Sequence, residues 1–436
     1  MKEVSRRNFL KYIGAGALGL LASPKLVPAL ERGLFPLTDA SDVVQCFHEL
    51  STSGSTINES VVQVMMDASI KALTGLNDVG EAWKSIFPGI TQSSVISIKV
   101  CIGNSAIPTH PAVVRCMISG LARMNFSGNG LPKNNVIVWE GTDAALTLCG
   151  YTIYDGSDPD TARCFGTNHP GIGYDSDVTL NINGVSAHPS KIISQMSDYV
   201  INAATLRTHN LSLVTLGMKN HYGSVSAVQH TNNCNPGLPS LSQQIRDVIT
   251  PNNIQRLFVI DGLFGLYSGG PSGAPNFNPK LLLMSKDTVA CDAQGQTVIN
   301  AERQKQGLDA LDAAYIRTAA EPPYSLGSLD INLIELNNPG IGESGEPVPS
   351  DGLFAVSPEP VRDRATVTFA ISRRGQVSLE LVNAAGRTEA RLFAGTLNQG
   401  RHDIAWRAGR RLPAGTYFLR LDNAGGTRVR EVMVVR

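Results

Sequence analysis

The sequence predicts an α/β fold, a mostly parallel sheet flanked by helices, followed by a small antiparallel β-sandwich. Three observations predict it. Short apolar runs of strand length alternate with helix-like stretches through the middle of the chain. A stretch rich in Gly, Pro, Ser and Glu, 338–352, then reads as a linker. Beyond it, short alternating runs recur with turn signals between them. The chain has 436 residues, enough for two or three domains. Hydrophobic residues make up 42% and charged residues 17%, a core-forming balance that excludes a disordered chain.

The first thirty residues read as an address rather than as part of the fold. Ser5-Arg6-Arg7-Asn8-Phe9-Leu10-Lys11 precedes an apolar stretch over 12–22, with small residues after it. A charged start, a short apolar run and small residues near a cut are the parts of a signal peptide. The run falls short of the roughly 20 apolar residues that span a bilayer. The paired Arg with Phe-Leu-Lys resembles a twin-arginine signal, with cleavage expected after Ala29. The expected location is therefore periplasmic, cell-surface or extracellular, with no transmembrane segment in the mature chain. The expected divisions are 1–29 signal, 30–337 α/β domain, 338–352 linker and 353–436 sandwich. Export of folded chains suits proteins that load a cofactor beforehand. It identifies none, so the cofactor is unknown and a divalent metal stays open.

The strand candidates, in order, are 95–100, 135–139, 199–203, 256–260 and 280–284. Most are rich in Val, Ile or Leu with little alternation, which fits strands covered on both faces. Helix candidates lie between them. The stretch 111–124 starts at Pro111 and spaces Val114, Met117, Ile118, Leu121 and Met124 helically. The stretches 190–196 and 240–249 each start at a Ser suited to an N-cap. Earlier, 59–73 is helix-like. The stretch 151–188, rich in Gly, Asp, Asn and Pro, reads as an insertion over the sheet edge or its mouth, with a hairpin at Asn183-Gly184. Ligands of open parallel sheets sit at the strand carboxyl ends. Lys99, Glu140, Asp261, Lys286 and Asp287 are candidates there, with helix caps or surface charges as the other reading.

Formal net charge is zero, so nothing global draws the chain to nucleic acid. The distribution is uneven. From Asp351 onward there are fourteen Arg, no Lys and eight acidic residues, a balance of +6. None of the seven Cys forms a Cys-x-x-Cys pair, so neither a zinc ribbon nor an iron–sulfur cluster has a motif. Their apolar settings predict buried free thiols for most of them.

The segment 205–230 crowds Arg207, His209, Thr215, Lys219, Asn220, His221 and His230 among apolar residues. Buried Lys and His need partners, so such groups form networks or bind something. Four readings stand. Lys99, Arg207 and Lys219 can converge on a carboxylate or phosphate, with Asn220 and backbone N–H groups completing the shell and Asp261 as a further ligand-binding candidate. His209, His221 and His230 can hold a metal, with Asp261 or Glu140, although their spacing matches no compact motif. His209 or His221 can act as a base, with Lys219 as electrostatic stabiliser. The fourth reading is a structural network that pins this segment to the sheet.

Met218-Lys219-Asn220-His221-Tyr222-Gly223-Ser224 resembles the hallmark of the uncharacterised domain-of-unknown-function family 362. Ile98-Lys99-Val100, Thr109-His110-Pro111, 136–140, 200–202, 206–209, 258–262, Gly269-Gly270-Pro271, 285–287 and 290–292 extend the resemblance over about 80–335. It implies an α/β fold and no established activity. Two departures stand out. Cys101 follows Val100 where the family has Asn close after its strand Lys, and Arg207 stands where the family has Lys. Some relatives carry ferredoxin-like cysteine motifs; this chain does not.

Gly262, Gly265, Gly269, Gly270 and Gly273 are interrupted by Pro271, Pro275 and Pro279, so they read as a loop over the site rather than a dinucleotide cradle. In the C-terminal module the strand candidates are 366–371, 377–382, 402–406, 416–421 and 428–434, with Trp406 and Tyr417 as core aromatics. Ser357-Pro358-Glu359-Pro360, Gly386 and Leu412-Pro413-Ala414-Gly415-Thr416-Tyr417 resemble Ig-like domains of the flagellar-hook-cap and type IX secretion sorting types. That resemblance implies attachment or sorting at the cell surface, or contact with secretion machinery. The function expected for the whole is an exported enzyme or ligand-processing protein with an anion- or metal-binding site. The alternative is a non-catalytic envelope binding or scaffold protein.

Overall fold

The computed structural model describes residues 40–228, 230–249, 255–340, 352–362, 364–371, 375–383, 386–397, 400–408, 412–423 and 426–435. The expected signal peptide and most of the expected linker lie outside the described residues.

The large sheet is built from β1 (Ser41–Phe47), β2 (Ile96–Val100), β3 (Val136–Glu140), β4 (Arg163–Gly166), β5 (Tyr199–His209), β6 (Leu213–Thr215), β7 (Gln255–Leu266), β8 (Leu281–Ser285) and β9 (Ile331–Asn337). The order is β9-β1-β8-β7-β5-β2-β3-β4, with β6 folded back on β5. Neighbours are parallel except around β8, antiparallel to β1 and β7, and at β6. The helices are α1 (Glu59–Thr74), α2 (Val79–Ser85), α3 (Pro111–Ala122), α4 (Asp143–Leu148), α5 (Lys191–Ser194), α6 (Gly217–Asn220), α7 (Gly237–Gln244), α8 (Thr288–Lys305) and α9 (Ala314–Ala320).

Both faces of the sheet are covered, which is why the strand runs lack alternation. Ile96, Ile98, Val100, Ile201 and Ala203 share one core with α1, α2 and α3. Ile137, Trp139, Val200, Ala204 and Leu206 share the other with α5, α7, α8 and α9. Lys99 therefore points away from α3, toward the second face, where its ammonium lies 5.6 Å from the Trp139 ring centre.

Several expectations are corrected. Residues 205–209, read as loop, continue β5, because Thr205 and Arg207 extend the row of Ile201 and Ala203 while Leu206 extends that of Ala204. β7 likewise runs to Leu266, so Asp261 lies inside a strand rather than at its end. β8 is antiparallel, which sends Lys286 and Asp287 to the other edge of the sheet. There Asp287 accepts the Val289 and Ala290 N–H groups at 2.7 and 3.0 Å and caps α8. Ser190 caps α5 as expected, but Ser240 lies within α7, which starts at Gly237. The 151–188 stretch supplies β4 to the sheet as well as the expected hairpin. That hairpin turns at Asn183 (φ 49°) and Gly184 (φ 85°), the paired positive φ of a type I′ turn.

The C-terminal strands are β10 (Gly352–Ser357), β11 (Arg364–Ile371), β12 (Gly375–Asn383), β13 (Thr388–Leu397), β14 (Gly400–Arg407), β15 (Gly415–Asn423) and β16 (Gly426–Val434). They form two antiparallel sheets, β10-β11-β14 and β13-β12-β15-β16, around one core, as a β-sandwich does. Trp406 and Tyr417 belong to that core, and the Tyr417 hydroxyl donates to the Pro413 carbonyl at 2.9 Å. All seven Cys are free and buried.

Candidate functional site

β5 carries the site because it outruns its neighbour. Val100, the last residue of β2, pairs with Ala203, and β5 continues six residues further to His209. The chain then folds back as β6, setting Thr215 across from Arg207 and Leu213 across from His209. α6 follows at once. Its first two N–H groups, of Gly217 and Met218, donate to the buried Asp292 carboxylate at 2.7 and 3.0 Å. Burial pushes that carboxyl up to about 7, against the pull of the two N–H groups. The strand, the hairpin and the capped turn bring two polar clusters to the carboxyl end of the sheet.

The first cluster is complete in itself. Lys99 is fully buried, and its ammonium donates to the Val100 carbonyl at 2.9 Å, Glu140 Oε1 at 2.9 Å and Asn220 Oδ1 at 3.2 Å. Those are all the donors an ammonium has. Asn220 Nδ2 donates to the Lys99 carbonyl at 3.1 Å and Asn202 Oδ1 at 2.8 Å. Asn202 Nδ2 donates to the Gly217 carbonyl at 2.8 Å and to Gln255 Oε1 at 3.3 Å. His221 closes the chain. Its Nε2 pairs with Gln255 Oε1, an acceptor, so Nε2 carries the proton and Nδ1 receives the Ser224 hydroxyl at 3.0 Å. Burial holds the His221 ring neutral, pushed down to about 4.

The second cluster is not complete. Arg207 is only 3% exposed, yet among the described residues Nε and Nη1 have no hydrogen-bond partner, and Nη2 donates to the Cys101 sulfur at 3.3 Å. Among the described residues, no carboxylate lies within ion-pair reach of Arg207 or Lys219. The Lys219 ammonium, on a side chain also buried, lies 3.3 Å from His230 Nε2 and 4.3 Å from the Tyr222 ring centre. Burial lowers its affinity for a proton; Cys234 and Cys101 oppose this, while Arg207 and Lys99 add to it. The hydroxyl of Thr215, buried across from Arg207, has no partner either. His209 and His230 stack with ring centres 6.1 Å apart. Burial pushes His209 down to about 4, with Lys219, Arg207 and His230 adding to it, and the same burial with Lys219 lowers His230. His209 Nδ1 accepts the Leu211 N–H at 2.9 Å, which leaves Nε2–H as the free donor of the neutral ring. Burial is the largest cause of each of these shifts, and the neighbouring cations add to it.

The remaining candidates fall elsewhere. The three-histidine metal set does not form, because His221 is bound into the first cluster while His209 and His230 belong to the second. Among the described residues no group of three or more His, Cys, Asp or Glu side chains is placed to hold a metal ion. Asp261 joins neither cluster. It accepts the His110 backbone N–H at 2.8 Å and His110 Nδ1 at 2.7 Å on Oδ2, and the Leu263 N–H at 3.1 Å on Oδ1. This pair was not singled out from the sequence, nor was Cys101 as the sulfur beside Arg207. Of the glycines expected in a loop, Gly262 and Gly265 lie within β7 instead, while the loop after β7, with Gly269, Gly270 and Gly273, packs against this end. Asn104 Nδ2 donates to the Pro271 and Gly273 carbonyls at 2.8 and 2.7 Å, and the Gly270 N–H donates to Thr208 Oγ1 at 3.2 Å. A Cβ on Gly270 would fall 1.8 Å from the Thr208 carbonyl oxygen, so the close approach requires glycine. Two surface clefts lie away from both clusters. One of about 760 Å³ is bordered by Glu49, Asn58 and Lys280, and one of about 360 Å³ by Leu76, Lys84 and Phe87.

Residues 96–297 match the family described as Domain of unknown function (DUF362), and that stretch contains both clusters. A search of curated proteins gave no match. Among solved structures, the chain is similar to an uncharacterized protein from Bacillus anthracis str. Ames at 11% identity, over 20% of this chain and 85% of that one, with a TM-score of 0.16. It is similar to the Ig1 domain of mouse SynCAM 2 at 15% identity, over 19% and 95%, with a TM-score of 0.14. A Cellulomonas fimi endo-beta-1,4-mannanase double mutant matches at 10% identity, over 86% and 81%, with a TM-score of 0.17.

Proposed function

We propose that this chain, whose residues 96–297 belong to the DUF362 family, binds a small molecule through a carboxylate or phosphate at the carboxyl end of β5. One observation carries the reading: a guanidinium that is 3% exposed with two of its three nitrogens unpartnered. Burying an unpaired cation costs several kcal/mol, and natural proteins leave few such groups. A bound anion would offset that cost. Arg207 would supply directed donors and Lys219 a point charge, with the Thr215 hydroxyl and His209 Nε2–H as further donors. Lys99 and Asn220 would position α6 rather than touch the ligand, because their hydrogen bonds are already used. Processing of the ligand would fall to Lys219 as electrostatic stabiliser and to the His209–His230 pair.

The location we propose is outside the cytoplasm, on the strength of the twin-arginine-like leader at Ser5–Lys11. The C-terminal sandwich would then serve as an attachment or sorting module.

The binding test uses the full chain without its leader, titrated with inorganic phosphate, acetate and succinate by calorimetry and thermal unfolding. Ligand at a hundred times its Kd raises stability by about 2.7 kcal/mol. The expected result is a saturable rise in Tm with at least one anion, lost in Arg207→Met. No saturable response, or one that Arg207→Met keeps, overturns the reading. Export is checked separately by replacing Arg6 and Arg7 with Lys, which should trap the protein in the cytoplasm. Unchanged export would remove the twin-arginine route, and a wild-type chain kept in the cytoplasm would remove the location.

A further inference from the structure

We propose that Cys101 is the reactive thiol of this protein, a nucleophile that adds to a carbonyl compound bearing a carboxylate or phosphate; the ligand's charged end rests on the anion reading above. The geometry comes from three elements. The Cys101 sulfur receives Arg207 Nη2 at 3.3 Å and Thr205 Oγ1 at 3.6 Å. Two donors converge on one sulfur, and one of them is cationic, so the Arg207 charge faces the atom that would react. The residue is held in place because its N–H donates to Thr109 Oγ1 at 2.9 Å, and that hydroxyl donates to the Ala203 carbonyl at 2.7 Å.

A lone buried Cys would be inert, and this chain supplies its own comparison. Cys101, Cys149 and Cys164 are 5%, 7% and 6% exposed, so access does not separate them. Burial pushes Cys149 up to about 11 and Cys164 up to about 12. Neither has a guanidinium donating a hydrogen bond to its sulfur. Arg207 has two further nitrogens without partners, so it can face the sulfur and an incoming anion together.

The step balances without an added oxidant. The sulfur lone pair forms a bond to the carbonyl carbon, the C=O π pair moves to oxygen, the S–H proton passes to water and that oxygen takes a proton from water. The product is a hemithioacetal or hemithioketal, and no electrons leave the pair of reactants.

The test labels the folded full chain with limiting iodoacetate or iodoacetamide and reads each Cys by mass spectrometry. In either reaction the sulfur displaces iodide, forming S–C as C–I breaks. Cys101 should label first, at roughly ten times the rate of Cys149 or Cys164. At Cys101 the acid should outpace the neutral amide, should saturate, and should be slowed by inorganic phosphate. In Arg207→Met, with Arg207→Gln as a second replacement, Cys101 should fall to the rate of Cys149. Labelling of Cys101 no faster than Cys149 in the wild-type chain overturns the thiol assignment, even if phosphate binds. Fast labelling without preference for the acid or protection by phosphate keeps the thiol but overturns the charged carbonyl ligand, and the anion reading is then decided by the Tm titration alone.

Discussion

Lys99 and Arg207 are both buried cations at the same end of one sheet, but they are treated differently. The Lys99 ammonium has three acceptors, and one of them, Asn220, is itself held in turn through Asn202 and Gln255. Arg207 has one weak acceptor, a sulfur. The comparison separates two reasons for a charge to be inside a protein. A cation with all its donors matched fixes the place of α6 against β2 and β5. A cation with donors to spare destabilises the folded chain and is explained by what arrives later.

The sharpest way to break this comparison is to remove each charge in turn. Lys99→Met would strand Glu140, whose side chain is 17% exposed, together with the buried Asn220 carbonyl. Removing one partner of a buried pair costs about 3–5 kcal/mol. Arg207→Met strands no carboxylate, so without ligand it should be neutral or stabilising by about 1–4 kcal/mol. Urea unfolding of the two variants should therefore move in opposite directions. A large loss in Arg207→Met would mean the guanidinium already has its counter-charge and the clusters are alike.

The pH dependence sharpens the same contrast, because His221 closes the satisfied cluster. Its ring is pushed down to about 4 by burial, whereas an unfolded His titrates near 6.5. Above about pH 6.5 both states hold a neutral ring and this stability is fully present. As pH falls, the unfolded chain takes up the proton first, so up to about 3 kcal/mol is lost by pH 4. Asp292 acts against this, since its carboxyl is raised to about 7 and stability from that group falls as pH rises toward 7. The difference between wild type and His221→Gln isolates the histidine. Denaturation midpoints should converge as pH drops from 7 to 4.5. A constant gap would mean that His221 is not held neutral.

These differences also explain what the amino-acid pattern could reveal. The runs at Ile96–Val100 and Val136–Glu140 were legible because burial on both faces leaves them mostly apolar, with Ser97, Lys99 and Glu140 as the exceptions. β5 was cut short in the reading because Thr205, Arg207 and His209 occupy alternate positions of its overhang, and polarity there reports the site rather than a loop. α8 escaped notice because the face it buries includes the small or polar Ala290, Cys291, Gln294 and Gly295, not a stripe of large apolar residues. The crowding of Arg207, His209, Lys219 and His230 was visible as composition. Which residues share a cluster was not, because Asn220 and His221 turn into the first cluster while Lys219 beside them joins the second. The Arg207–Cys101 and His110–Asp261 contacts span 106 and 151 residues, and no local spacing announces them.

The smallest expected effect concerns two buried threonines, one on each side of the distinction. Thr109 uses its hydroxyl twice, accepting the Cys101 N–H at 2.9 Å and donating to the Ala203 carbonyl at 2.7 Å. Thr215 is as well buried, and its hydroxyl has no partner. Valine matches threonine in shape, so Thr→Val removes the hydrogen bonding while leaving the packing. At Thr109 it should leave a buried N–H and a carbonyl underused and cost about 1–3 kcal/mol. At Thr215 nothing is stranded and a desolvated hydroxyl is removed, so stability should hold or rise by up to about 1 kcal/mol. Anion binding reverses the expectation for Thr215 alone. If its hydroxyl is a donor kept for a ligand, Thr215→Val should weaken the phosphate or carboxylate response while the free protein is no less stable. Equal destabilisation by both replacements, with unchanged anion response, would show that Thr215 is ordinary packing and would shrink the proposed site to Arg207 and Lys219.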